Sequence, residues 1–259
     1  MLVLLSPSKT QDFSASSKIA FPTQPVLLDE SVRLVKELKG LSSAEIGKLM
    51  HISEKLADLN HGRFKEFTTP FTTDNAKPAA LAFKGDVYDG LDADSLSLEA
   101  LEFSQHSLRI LSGLYGVLRP KDLIQAYRLE MKTPLKNPRG KDLYDFWGER
   151  ITDVLNAHLK QEQTEYVINL ASQEYFKAIK PKKLQGRLIT VHFKERKDGA
   201  LKVVAIFAKR ARGMMARHIV ENSIRNLDGI TRFTQDGYSF DPEASNDEEF
   251  VFARDSTKG

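Results

Sequence analysis

No cysteine occurs in the 259 residues, which removes disulfides, Fe–S clusters, thiolate zinc sites and thiol redox sensing together. Any role in oxidative stress is therefore expected to be indirect. Excess charge is nearly absent too: 38 basic and 35 acidic residues leave +3, so composition does not announce a nucleic-acid binder. Distribution along the chain has to decide. Apolar runs reach only strand length, and the N-terminus lacks a basic leader, an apolar stretch and a small-residue cleavage site. The expectation is a cytoplasmic protein with no membrane partner. The histidines, at 51, 61, 106, 158, 192 and 218, show no H-x-x-x-H spacing, and there is no G-x-S-x-G. Neither a metal nor a cofactor is expected, and a Ser/His/Asp hydrolase is unsupported.

What is present suits one globular domain. Apolar residues make up 41% of the chain, and no repeat, low-complexity tract or rich linker marks a boundary, so residues 1–259 read as a single mixed α/β domain. Leu2 to Leu5 reads as a buried strand that stops at "SPSKT". A surface loop is expected from Gln11 to Pro25, then a helix over Asp29 to Leu38. Ser42 or Ser43, and then Ser53, can cap two short helices joined at "HIS", with Leu56, Leu59 and Phe64 as the inner face of the second.

Further along, "SGLYGVLRP" closes on a glycine-rich turn, "LIQAYRLEM" alternates like a strand, and "KDLYDFWGERITDVLNAHLK" has the stripe of one amphipathic helix. "YVINLAS" predicts a strand leading into a helix capped by Ser172. "RLITVHFKER" and "ALKVVAIFA" predict a hairpin through Asp198 and Gly199, followed by the helix "KRARGMMARHIVENSI". The acidic "DPEASNDEE" reads as a surface loop and "DSTKG" as a frayed tail.

Three of these strands end in polar clusters. Ser6, Ser8, Lys9 and Thr10 follow the first, Asn169 and Ser172 follow "YVIN", and Lys209, Arg210, Arg212 and Arg217 follow "VVAIF". Ligands collect outside strand ends in such sheets, and cations near a helix start favour an anion such as phosphate. A solvated basic helix face explains the third cluster equally well. Gly213 inside that helix marks close approach of another backbone or a ligand. "SPSKT" lacks the glycines of a true phosphate loop, so an ATPase is rejected. Asp86, Tyr127, Arg128 and Glu130 are candidate catalytic groups if they face a cleft, and structural pairs otherwise.

The run "LMHISEKLADLN", within residues 42–67, resembles a helix-hairpin-helix, with Lys48, Lys55 and Arg63 nearby and His51 and Ser53 where glycines usually allow phosphate approach. Taken together, "LLSPSKT", "FKGDVYDGL", "LSGLYGVLRPKDLI", "YRLEM", "FWGERIT", "NLASQEYF", "KPKKL" and "AKRARGMMARHI" resemble the peroxide stress protein YaaA family over nearly the whole chain. The resemblance implies one compact domain of unusual fold with a positively charged cleft and an embedded helix-hairpin-helix. It also implies a cytoplasmic role against hydrogen peroxide, binding of double-stranded DNA with a preference for bent or junction-like forms, and limitation of iron-driven damage.

Two function classes follow. In the first, a monomer grips DNA phosphates through Ser6, Ser8, Lys9, Lys48, Lys55, Lys84, Arg119, Lys182, Lys183, Lys209, Arg210, Arg212 and Arg217. In the second, an enzyme acts on a nucleotide-like or phosphate-bearing small molecule, because carboxylates such as Asp86 and Glu130 repel phosphate and usually have another task. The direction in which those two carboxylates point separates the readings.

Overall fold

A computed structural model describes residues 1–14 and 21–255, so part of the loop expected from Gln11 to Pro25 and the last four residues of the expected tail lie outside the described residues. The first strand, β1 (Leu2–Leu5), is buried at every position, which is why it is apolar without alternation. A short β2 (Thr10–Gln11) follows, and then three helices. α1 (Leu28–Lys39) buries Leu34, Val35 and Leu38.

α2 (Ser43–Met50) starts at Ser42, whose hydroxyl accepts from the Glu45 amide while the Glu45 carboxylate accepts from the Ser42 amide. His51 then turns the chain at φ +52°, and α3 (Glu54–Glu66) folds back on α2. Ala57, Asn60 and Phe64 form the buried face of α3, whereas Leu56 and Leu59 are exposed, contrary to the expected inner face.

The middle of the chain carries β3 (Lys77–Pro78), α4 (Ala79–Ala82), β4 (Phe83–Lys84), α5 (Asp86–Leu91) and α6 (Leu98–Ser107). β5 (Leu108–Ser112), β6 (Gly116–Leu118) and β7 (Leu123–Ile124) come next. "YRLEM" is irregular rather than a strand. The expected long helix is two, α7 (Leu143–Trp147) and α8 (Arg150–Gln161), parted at Gly148 with φ +54°.

β8 (Tyr166–Asn169) leads into α9 (Gln173–Phe176); β9 (Arg187–Lys197) and β10 (Ala200–Lys202) form the hairpin through Asp198 and Gly199. α10 (Ala205–Glu221) begins four residues before Lys209, so "AIFA" is helical and the basic cluster lies along the helix rather than at its start. α11 (Leu227–Thr231), β11 (Ser239–Phe240) and β12 (Glu249–Asp255) complete the chain. β12, between the expected acidic loop and the expected tail, has no counterpart in the sequence reading and takes in Asp255, the first residue of that tail.

These elements build one mixed α/β domain around a sheet of order β11-β12-β9-β8-β1-β5-β6, with β10 added to β9. The strands β5, β1, β8, β9 and β12 are parallel, and β6 and β11 close the two sides antiparallel. From β1 the chain passes to β5 on one side, then returns to β8 on the other and moves outward. The ends of β1 and β8 are therefore a topological switch point, where connections diverge and leave a crevice.

α10 crosses α5 beside that crevice through paired glycines. A Cβ on Gly213 would lie 1.8 Å from the Val87 carbonyl oxygen, and one on Gly90 would lie 2.2 Å from that of Arg210. Gly213 thus marks the approach of another backbone.

Candidate functional site

The ends of β1 and β8 are tied together by hydrogen bonds. The Leu170 amide donates to the Leu4 carbonyl at 3.0 Å, and the Ser172 amide donates to the Ser6 hydroxyl at 2.8 Å. The Tyr88 hydroxyl donates to the Ser6 carbonyl at 3.0 Å. With Ser6 fixed, Pro7 to Thr10 form one rim of a cleft of about 450 Å³. Gly85, Asp86 and Val87 at the start of α5 and Lys209 and Arg212 from α10 form one flank; Glu130, Glu174 and Tyr175 line the other side, next to a smaller slot that shares Ser8 and Lys9. Gly85 holds φ +98°, a conformation that glycine adopts without strain, and its backbone lies beside the Ser8 hydroxyl.

The charges in the cleft differ in how they are matched. Glu130 accepts from Lys9 at 2.9 Å and Arg128 at 3.1 Å, with Lys132 at 3.5 Å. Burial alone would raise the Glu130 pKa, but the Lys9 ammonium and Arg128 guanidinium outweigh it and hold the carboxyl below the usual range. Lys209 sits 3.7 Å from Asp86, and Glu174 accepts from the Lys132 amide at 3.3 Å.

Arg212 is the exception. Its Nε is buried with no hydrogen-bond acceptor among the described residues, and burial lowers the guanidinium pKa. A desolvated cation without a counterion is costly, and a bound anion would relieve it.

Of the sequence candidates, Ser6, Ser8, Lys9, Asp86, Glu130, Lys209 and Arg212 meet in the cleft, together with Thr10 and Ser172 of the strand-end clusters. Arg128 borders it through Glu130 and lines the adjoining slot, where its own Nε is buried without an acceptor among the described residues. Tyr127 is buried, its hydroxyl 2.6 Å from that of Ser112.

Four other cations are held in pairs away from the cleft lining. Lys84 meets Asp94 at 2.8 Å, Arg119 meets Asp122 at 2.9 Å, Lys183 meets Glu149 at 2.5 Å, and Arg217 meets Glu221 at 2.6 Å. Arg210 is exposed on α10, Lys182 is exposed beyond α9, and Lys48 and Lys55 are exposed on the α2–α3 hairpin. The hairpin groove is lined by Lys48 together with the acids Glu54 and Asp58.

Glu174 and Tyr175 were not among the sequence candidates. The signal that finds them is the strand-end rule extended one turn past Ser172 into α9. Among the described residues no three His, Asp or Glu side chains converge to hold a metal ion, and no helix is long and apolar enough to cross a membrane.

Comparison with known proteins places this architecture. The family model described as peroxide stress protein YaaA matches residues 1–244. A UPF0246 protein of Alteromonas mediterranea is 53% identical over 254 residues, which is 98% of this chain and 98% of that one. The chain belongs to the peroxide stress protein YaaA family.

Proposed function

We propose that this cytoplasmic protein serves the peroxide stress response by binding double-stranded DNA, bent or junction-like forms above all, with the switch-point cleft as its principal phosphate site. The observation that carries the reading is Arg212, a half-buried side chain on the cleft wall whose buried Nε is unsatisfied among the described residues. Arginine binds phosphate through a planar fork, and a partly desolvated fork gains most from an anion. The exposed Lys48, Lys55, Lys182, Lys209 and Arg210 would neutralise further phosphates along the surface. Limitation of iron-driven damage then acts through the bound DNA.

The test is fluorescence anisotropy of linear, bent and four-way-junction DNA across a salt series, with Arg212→Glu beside the wild type. The expected result is a steep fall with salt, tighter binding of distorted DNA, and at least a tenfold loss in the variant. Unchanged affinity in a folded variant would remove the cleft from DNA binding.

One observation favours a second reading, turnover of a phosphate-bearing small molecule: Asp86, Glu130 and Glu174 line the same cleft as the cations. Both carboxylates singled out in the sequence are paired, Asp86 with Lys209 and Glu130 with Lys9 and Arg128, which is the arrangement of a scaffold. Release of inorganic phosphate from nucleotides or small phosphate esters, lost in Glu130→Gln, would establish the enzyme.

A further inference from the structure

At about 450 Å³ the cleft is on the scale of one small-molecule site, so a duplex lying across it can present a backbone phosphate or one extruded nucleotide to it. Its walls also carry more than phosphate contact requires, and they fall into three chemically distinct sets.

The first set is cationic. Arg212 offers an unsatisfied Nε, with Lys209 on the same helix. The second set accepts hydrogen bonds. Glu130 is kept ionised by Lys9 and Arg128, Glu174 lies near it through Lys132, and the Ser6 and Ser172 hydroxyls stand at the junction of the strands. The third set is apolar: Pro7, Val87 and Leu170, with the Tyr175 ring beside Glu130.

A ligand that matches all three has one anionic end, hydroxyl or amino donors, and a flat apolar face. The carboxylates narrow it further. Both offer acceptors to sugar hydroxyls; Glu130 is already matched by Lys9 and Arg128, so Glu174, with Lys132 at 3.9 Å, is the carboxylate that disfavours a second or third phosphate on that side. The crevice at a strand switch point is also where open α/β sheets receive nucleotides.

Resting on the anion-site reading, we propose that the cleft binds one nucleoside monophosphate, its phosphate on Arg212, its sugar hydroxyls toward Glu130, and its base against Tyr175. Two sources supply this chemistry. One is a free mononucleotide; the other is a nucleotide extruded from a DNA strand that lies across the exposed cations.

Calorimetric titration of the full chain with inorganic phosphate, ribose 5-phosphate, adenosine, ATP and the four common nucleoside monophosphates tests it. At least one monophosphate is expected to bind tenfold or more tightly than ribose 5-phosphate, phosphate and ATP. Arg212→Gln should weaken that binding tenfold or more, and Glu174→Gln should narrow the gap between monophosphate and ATP. Equal binding of ribose 5-phosphate and every monophosphate would overturn the nucleoside assignment and leave the anion site standing. No binding by any phosphate compound, with DNA affinity unchanged in Arg212→Gln, would overturn both.

A duplex carrying 2-aminopurine separates the sources. A fluorescence rise on protein binding, reversed by the monophosphate, assigns the pocket to an extruded nucleotide. A bound monophosphate with no change in the duplex signal assigns it to the free one.

Discussion

Arg109 and His158 form a buried contact between β5 and α8 that records its own protonation state. The Arg109 guanidinium donates to Nδ1 of His158 at 2.7 Å, and Nε2 donates to the His106 carbonyl at 2.6 Å. The ring is therefore neutral with its proton on Nε2. Burial, reinforced by the Arg109 charge, pulls its pKa down to about 4. The unfolded chain takes up this proton near pH 6.5 and the folded one only near 4, so between these values the unfolded state binds more protons. Stability should fall as pH drops from 6.5 to 4, by up to about 1.4 kcal/mol per unit from this group. Thermal unfolding from pH 7 to 4 should show a shallower decline in His158→Gln; an identical decline would place the loss on other groups.

Arg212 gives the opposite kind of prediction. Arg212→Met removes a half-buried cation with an unsatisfied Nε, so the unliganded variant should unfold at higher urea by about 1 kcal/mol while losing anion binding. A gain in one measurement with a loss in the other distinguishes a binding residue from a structural one.

Among the elements, the α5–α10 crossing holds both sides of the cleft flank in register. Gly213→Ala forces a methyl into the Val87 carbonyl and should cost about 1–3 kcal/mol, with a loss of ligand affinity because Lys209 and Arg212 shift away from Asp86. Gly62→Ala is the control. It lies within α3 with nothing within 4 Å of the added methyl, and should stabilise by roughly 0.5–1 kcal/mol in urea unfolding.

Legibility varied with how local the cause was. β1 and its polar stop were readable because burial on both faces and a strand-end loop leave adjacent signatures. β9 was readable through Ile189, Val191 and Phe193, which alternate with half-exposed residues. The start of α10 was not, since "AIFA" suits a buried strand as well as a helix and Val204 offers no side-chain cap. The stripe from Leu143 to Leu155 ran on across Gly148, hiding the break. In the site, the clusters after β1 and β8 brought Ser6, Ser8, Lys9 and Ser172 to one place, whereas Arg212 joins them from within α10 rather than from a strand end. What the sequence could not reveal was pairing at a distance, as between Lys183 and Glu149 or Arg217 and Asp92.

At the scale of the molecule, β12 is what the sequence concealed most completely. Its Phe250, Val251, Phe252 and Ala253 are all buried, so they lack alternation, and they follow an acidic loop at the end of the chain. Yet β12 runs parallel to β9 over seven residue pairs, and its Arg254 donates to Glu195 at 2.6 Å in the interior. Ending the chain after Asp247 should therefore abolish cooperative unfolding, with near-ultraviolet circular dichroism lost along with it. A cooperative transition in the truncated protein would show that the remaining sheet stands alone.

The position of β1 sets a schedule for making the protein. β1 is synthesised before both of its neighbours in the sheet, β5, ending at residue 112, and β8, ending at residue 169. At translation speeds of 5–20 residues per second, Leu2–Leu5 waits roughly 5–20 s for β5 and longer for β8. A chain released before residue 166 carries a wholly apolar strand with one edge unpaired, a template for aggregation that closes only when the second half of the message has been read.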